Sequence, residues 1–150
     1  AQCKHNESVF LSESMSARNL LEQTSNANVH HIFPKKYLER NGFKKSEYNQ
    51  VANYVYTEQQ INIKLADMAP KEYMQKVLDE LQQKEIATQD HSQSLSEFTS
   101  LKNRTDLAHN MKINSIGDSL FEADYTTYND FLAERRKLMA QKIKAFYHNL

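Results

Sequence analysis

The run His30-His31-Ile32-Phe33-Pro34 is the clearest fold signal in this chain of 150 residues. Residues 29–33 form an apolar-flanked run typical of a β-strand, and Pro34 ends it because proline cannot donate to a strand ladder. Residues 54–57 form a second run of β-prone side chains. Helical periodicity begins at Glu58, so the sequence predicts a short β-hairpin followed by a helix.

Further segments predict helices around this hairpin. Residues 35–41 indicate a short helix that Gly42 ends, and Pro70 suits the first position of a longer helix. Three segments are assigned from polarity and apolar period alone: a polar linker at residues 84–94, a helix at residues 95–107, and a last helix at residues 128–150 whose apolar stripe we interpret as core.

The composition favours a mainly helical α+β fold, because two Gly and two Pro are too few for a many-stranded sheet protein. We divide the chain into a lead-in segment (1–28), a small ββα core of a short hairpin plus a helix (29–83), and a helical extension (84–150) that packs on this core. The lead-in is predicted to be extended or irregular apart from a short helix at residues 16–23. All three parts are expected to form one domain.

Several classes of protein are excluded by composition. One cysteine excludes a disulfide framework and cannot supply the paired cysteines of a zinc or redox motif. No apolar run approaches the ~20 residues that a membrane span requires, so no membrane partner is expected.

Charge is unevenly distributed although the chain is neutral overall. Residues 30–64 carry six Lys or Arg against three Glu, whereas residues 65–130 carry six basic against twelve acidic side chains. A neutral chain argues against strong nonspecific nucleic-acid binding, but a basic patch can still bind one phosphate backbone. Ordinary solvated helix faces would give the same pattern.

The adjacent histidines are the side chains best suited to take part in catalysis. An ordinary imidazole has a pKa near 6.5 and can take a proton from water at neutral pH. In a regular strand, neighbouring side chains point to opposite faces. A histidine pair alone is more often a surface or core feature than a site, so the residues downstream decide its interpretation.

Those downstream residues carry a family resemblance. The set His30-His31-Ile-Phe-Pro, Asn53, Asn62, Lys64 and Ala69-Pro70-Lys-Glu-Tyr73 resembles the HNH, or ββα-metal, nuclease motif. The spacing from Asn53 to Pro70 is similar to that in the HNH domain of CRISPR effector nucleases. The closer resemblance is to the C-terminal nuclease domain of GmrSD-like modification-dependent restriction proteins. Their final Phe-Leu-x-x-Arg helix is matched more loosely by Tyr128-Asn-Asp-Phe131-Leu132-Ala-Glu-Arg135-Arg136.

The resemblance implies a role for each motif residue. His31 is the general base, and Asn53 ties the loop together and orients that base. His30 and Asn62 hold one divalent metal ion, Mg²⁺ or Mn²⁺. Ni²⁺ and Zn²⁺ remain open because His30 stands where many relatives have Asp or Glu, and imidazole suits these softer ions. The resemblance supplies no third protein ligand. Asp67, one helical turn and a residue beyond Asn62, is a candidate by position, and the other interpretation is an ordinary surface carboxylate.

Six basic residues flank the motif: Lys35, Lys36, Arg40, Lys44, Lys45 and Lys64. We predict that they contact DNA phosphates, and the other interpretation is a solvated helix surface. The 22-residue separation of His31 and Asn53 is longer than in compact HNH motifs, which leaves the hairpin register open.

We therefore expect a metal-dependent DNA endonuclease of the bacterial cytoplasm, the nuclease part of a restriction or phage-defence protein. The resemblance implies a 5′-phosphate and a 3′-hydroxyl as products and an upstream nucleotide-using domain. With Gly42 and Gly117 as its only glycines, the chain has no phosphate-cradling glycine-rich loop of its own. The alternatives are a catalytically silent DNA-binding domain and a helical interaction domain.

Overall fold

The protein has a mainly helical α+β fold with one two-stranded antiparallel sheet, as the composition predicts. A computed structural model describes residues 9–12, 27–58, 61, 64–65, 67–90 and 98–148. In these residues the elements are β1 (Ala27–His31), α1 (Lys35–Arg40), α2 (Lys45–Tyr48), β2 (Tyr54–Glu58), α3 (Pro70–Asp90), α4 (Arg104–Ile113) and α5 (Tyr128–His148). None of the described helices is long and apolar enough to cross a membrane.

The strands β1 and β2 form the predicted hairpin. Their antiparallel register places His30 opposite Val55 and His31 opposite Tyr54. The chain is again helical at residues 61 and 64–65, after β2. A hairpin followed by a helix is therefore confirmed, and the register that the long insertion left open is defined.

The first strand lies two residues earlier than predicted, because Ile32 and Phe33 leave the sheet. Both residues are fully buried. The Phe33 ring packs with its centroid 5.0 Å from those of Tyr128 and Phe131 in α5. Core packing has thus overridden the β propensity of these two residues.

The N-terminal residues 9–12 belong to the core. Phe10 is fully buried and forms a parallel bridge with Thr57 of β2. The Leu11 N–H donates to Oδ1 of Asn110 in α4 over 2.9 Å. The sequence offers no periodicity that indicates this packing. The predicted helix at residues 16–23 lies outside the described residues.

Two of the predicted helix boundaries are wrong. α3 continues to Asp90 through the start of the predicted linker, because Lys84 is buried against Glu80 (Nζ–Oε2 3.0 Å) and donates to the carbonyls of Thr99 and Leu101 over 2.8 Å each. Within the helix predicted at residues 95–107, residues 98–103 are not helical, and α4 begins at Arg104, where Asn103 caps it by accepting from the N–H of Asp106.

The last helix is confirmed, but only its N-terminal half is core. Tyr128, Phe131, Leu132 and Arg135 are buried. Further along, Ile143 is 48% exposed and Tyr147 is 68% exposed. The second half of the apolar stripe is therefore largely exposed to solvent, although its periodicity predicts that it belongs to the core.

Tyr73 of α3 joins the helix to the end of the hairpin. Its side chain is fully buried, and its hydroxyl donates to the carbonyl of Ile32 over 2.6 Å. Burial raises the pKa of Tyr73 above its ordinary value of 10.0. The folded protein therefore keeps Tyr73 protonated at pH values where an unfolded chain would ionise it.

We expect Tyr73→Phe to lower the free energy of unfolding by about 1–2 kcal/mol at pH 7, because the Ile32 carbonyl loses its buried donor. Because the pKa of Tyr73 is raised in the folded protein, its contribution to the free energy of unfolding is complete below pH 10. That contribution is lost as the pH rises above 10. The advantage of the wild type over the variant should shrink by about 1.4 kcal/mol between pH 9 and pH 11. Urea denaturation of both proteins at the two pH values measures this difference, and a constant advantage would contradict it.

Candidate active site

A cleft of about 420 Å³ opens at the end of β1, and four of the predicted site residues line it. His30 and His31 both line it, although a regular strand would point them to opposite faces. His31 is the last residue of β1, and the chain bends at the next two positions. The remaining lining residues are Val29, Pro34, Lys35, Lys36 and Asp67.

His31 is held by an amide and two aromatic rings. Its Nε2 lies 2.9 Å from Oδ1 of Asn49. The rings of Tyr48 and Tyr54 make T-shaped contacts with the imidazole, with ring centroids 5.9 and 5.1 Å away. Because an amide oxygen only accepts, Nε2 is the protonated nitrogen of the neutral ring, and Nδ1 keeps its lone pair.

Asn49 is a residue that the motif did not include. It lies directly after α2, within the insertion between the two strands. A single exposed asparagine in a turn has no signal in the sequence that separates it from other turn residues. Only the fold, which brings this turn back to the end of β1, identifies it as the partner of His31.

Asn53 is fully buried and joins the two ends of the insertion. Its Oδ1 accepts from the Phe33 N–H over 2.8 Å, and its Nδ2 donates to the carbonyls of Phe33 and Tyr48 over 3.2 and 3.1 Å. Its own carbonyl accepts from the Ile32 N–H over 2.8 Å. The Asn53 side chain thus links Phe33, two residues after His31, to Tyr48, the residue before Asn49. The part that the resemblance gives Asn53 in orienting the base stays a prediction.

Arg135 supports the same segment from the other side. Its Nη1 donates to the carbonyls of Ala52 and Tyr54 over 3.0 and 2.5 Å, and its Nη2 donates to the carbonyl of Asn114 over 3.1 Å. Burial lowers the pKa of Arg135 to about 10, which leaves it a cation at neutral pH. Its position three residues after Leu132 on the buried face of α5 was the signal that could have identified it.

The predicted metal ligands are only partly described. His30 lies in the cleft wall and is almost fully buried. Asn62 lies outside the described residues. Asp67 lines the cleft, and Arg40 holds it through its carboxylate (Nη1–Oδ2 3.0 Å) and its backbone carbonyl (Nη2–O 3.2 Å). Among the described residues, no three His, Cys, Asp or Glu side chains are grouped closely enough to hold a metal ion.

A divalent ion is nevertheless compatible with the donors that the cleft offers. A carboxylate from Asp67 suits Mg²⁺ and Mn²⁺, an imidazole from His30 suits Mn²⁺, Ni²⁺ or Zn²⁺ better than Mg²⁺, and Asn62 would add an amide oxygen. Arg40 would have to release part of its hold on Asp67 for the carboxylate to serve as a ligand.

The six predicted phosphate-binding residues occupy different environments. Lys35 and Lys36 are exposed and line the cleft. Arg40 is engaged by Asp67, and its guanidinium lies 5.9 Å from the centroid of the Tyr37 ring. The other three lie outside the cleft lining and are exposed: Lys44, Lys45 and Lys64. Lys35 also lies 3.9 Å from the Glu39 carboxylate (Nζ–Oε1). Two lysines against the single carboxylate of Asp67 still give the cleft lining a net positive charge, which suits a phosphate group.

Comparison with known proteins adds nothing to this geometry. No family model, no curated protein and no solved structure matches the chain.

Proposed function

We propose that this protein is a metal-dependent DNA endonuclease that hydrolyses phosphodiester bonds in the cleft at the end of β1. The observation that carries the proposal is the convergence of His30 and His31 with Lys35, Lys36 and Asp67 in one cleft. Proton acceptor, metal donors and phosphate-attracting cations are the three components that this hydrolysis needs.

In this proposal His31 is the general base. Asn49 and the two tyrosine rings hold the imidazole, so that Nδ1 takes a proton from the water that attacks phosphorus. Asn53 and Arg135 keep the backbone on both sides of this arrangement in place. Lys35 and Lys36 attract and orient the phosphate.

A divalent ion, when bound, supplies positive charge for the oxygens that become more negative during hydrolysis. His30, Asn62 and Asp67 are the residues that would hold it. Few protein ligands leave coordination positions for phosphate and water.

The biological setting of this activity comes from the motif resemblance. We place the enzyme in the bacterial cytoplasm as the nuclease part of a restriction or phage-defence protein, with DNA as its substrate. An upstream nucleotide-using domain of the same protein would recognise modified DNA and direct the cut.

Metal dependence is the direct test of the proposal. Purified protein should convert supercoiled plasmid to nicked or linear product with Mg²⁺ or Mn²⁺ and should lose this activity in EDTA. Because His30 supplies a nitrogen donor, Mn²⁺ should support cleavage at least as well as Mg²⁺. Full cleavage in EDTA would overturn the metal requirement, and an absence of cleavage with every divalent ion would overturn the nuclease assignment.

The same assay identifies the ligand. In His30→Asp a hard carboxylate replaces imidazole, so the ratio of the Mn²⁺ rate to the Mg²⁺ rate should fall. His109→Asp is the matched control, since His109 is exposed on α4. Circular dichroism verifies that the buried substitution at position 30 folds. A ratio equal to that of the control would mean that residue 30 is not a ligand.

A further inference from the structure

The exposed face of α5 beyond Leu132 is basic and has no place in the site described above. Arg136, Lys137, Lys144 and His148 are exposed on it, together with Tyr147, which is 68% exposed. At 3.6 residues per turn these five positions fall within an arc of about 120° on one side of the helix. We call this set the α5 track.

The track begins beside the candidate active site. The Nη2 of Arg136 donates to Oε1 of Gln50 over 3.1 Å. Gln50 follows Asn49, the residue that holds His31. The neighbouring Arg135 reaches the carbonyls of Ala52 and Tyr54. The second turn of α5 therefore lies against the segment that positions the base, and the later turns lead away from it.

The charge of the track is available to a partner. Within the described residues, no carboxylate forms an ion pair with Arg136, Lys137 or Lys144. The residue between the two halves of the track, Ala140, is exposed and small. A partner can thus approach the helix backbone closely between the long basic side chains.

We propose that the α5 track binds the sugar-phosphate backbone of the nucleic acid next to the bond that is cut. This inference rests on the proposed function and extends it from a single phosphate to an extended polynucleotide substrate. From residue 136 to residue 148 the helix rises about 18 Å, which corresponds to about five nucleotides of one strand. The cations bind phosphates, and the exposed Tyr147 ring can pack on a sugar or a base.

A membrane surface is the other partner that a basic helix with exposed apolar residues can suit. The structure favours nucleic acid for two reasons. The track is continuous with the segment that holds His31, and four of its five residues are basic rather than apolar.

The test measures DNA binding without cleavage. A fluorescent 24-base-pair duplex is titrated with the full chain in EDTA at several salt concentrations between 50 and 200 mM. Wild type should bind with a Kd of about 10⁻⁴–10⁻⁶ M near physiological salt. In the double variant Lys137→Gln and Lys144→Gln, the slope of log affinity against log salt should be shallower by about 1.8, because two phosphate contacts are lost.

The control removes the same charge from the acidic part of the chain. Lys76 and Lys102 are exposed there, and Lys76→Gln with Lys102→Gln should keep the wild-type slope. Glutamine preserves helix propensity at the exposed positions of α3 and α5, and thermal melts verify that both proteins fold. Equal slopes for the two double variants, or wild type that binds no DNA, would overturn the proposal.

Two further outcomes separate the alternatives. If the track variant keeps its salt slope but loses sedimentation with phosphatidylserine vesicles, the face binds membrane and the proposal is wrong. Plasmid cleavage is measured separately with Mg²⁺ and Mn²⁺. A shallower slope without any wild-type cleavage would support the track and reject the nuclease function, whereas cleavage with an unchanged slope would reject the track alone.

Discussion

Replacing His31 with alanine is expected to lower the rate of plasmid cleavage by about 10²–10⁴-fold, the usual contribution of a general base. The side chain is partly exposed, so its loss should change the free energy of unfolding far less than it changes the rate. Rates are measured at saturating DNA with the better of Mg²⁺ and Mn²⁺, and urea denaturation gives the stability of the same preparation.

The matched control is His109→Ala, because His109 is an exposed histidine of α4. It should retain the wild-type rate. Cleavage by His31→Ala within about threefold of wild type would rule out His31 as the base, whatever the effect of metal removal. The DNA affinity of the variant, measured in EDTA, should stay near the wild-type value. If the protein is instead a catalytically silent DNA-binding domain, the wild type will bind DNA but will not cleave it.

Asn53→Ala should produce the largest loss of stability among the site residues, about 3 kcal/mol or more. The substitution removes the partner of the Phe33 N–H and of the Phe33 and Tyr48 carbonyls in a fully buried place. Each buried polar group left without a partner costs about 1–3 kcal/mol.

Urea denaturation of Asn53→Ala and Asn129→Ala measures this effect. Asn129 is exposed on α5, so its substitution should change the free energy of unfolding by less than about 0.5 kcal/mol. A loss below about 1 kcal/mol at Asn53 would show that the two ends of the insertion are held together by other contacts.

Local signals predicted most elements of the site. The run after Asn53 forms β2, and the run before Pro34 contains the last three residues of β1, whose predicted bounds were two residues too late. The helix after Pro34 ends near Gly42, whose φ of +89° is the left-handed conformation that glycine adopts readily. Pro70 begins α3 as its fixed φ favours. Each of these signals depends only on residues that are neighbours in the sequence, so each can be recognised without knowledge of the tertiary structure.

Residues whose partners are distant in sequence were misread. Lys84 looked like part of a polar linker, yet Glu80 and the carbonyls at Thr99 and Leu101 satisfy its charge and allow its burial. From the sequence, Arg135 had no role beyond the loose motif match, whereas in the structure its guanidinium donates to three carbonyls from two segments. Polarity predicts exposure only when no such partners exist, and their existence depends on the whole fold.

Sequence patterns alone were enough to predict that a hairpin carrying His30 and His31 precedes a helix and that the chain is mainly helical. Only the tertiary structure brought both histidines into one cleft with Lys35, Lys36 and Asp67, and placed Asn49 and Arg135 on the segment around them. The physical reason is the range of the interactions. Strand and helix signals act over a few residues, whereas the buried hydrogen bonds that shape the cleft join residues 20 to 83 positions apart, as between Phe33 and Asn53 or Ala52 and Arg135.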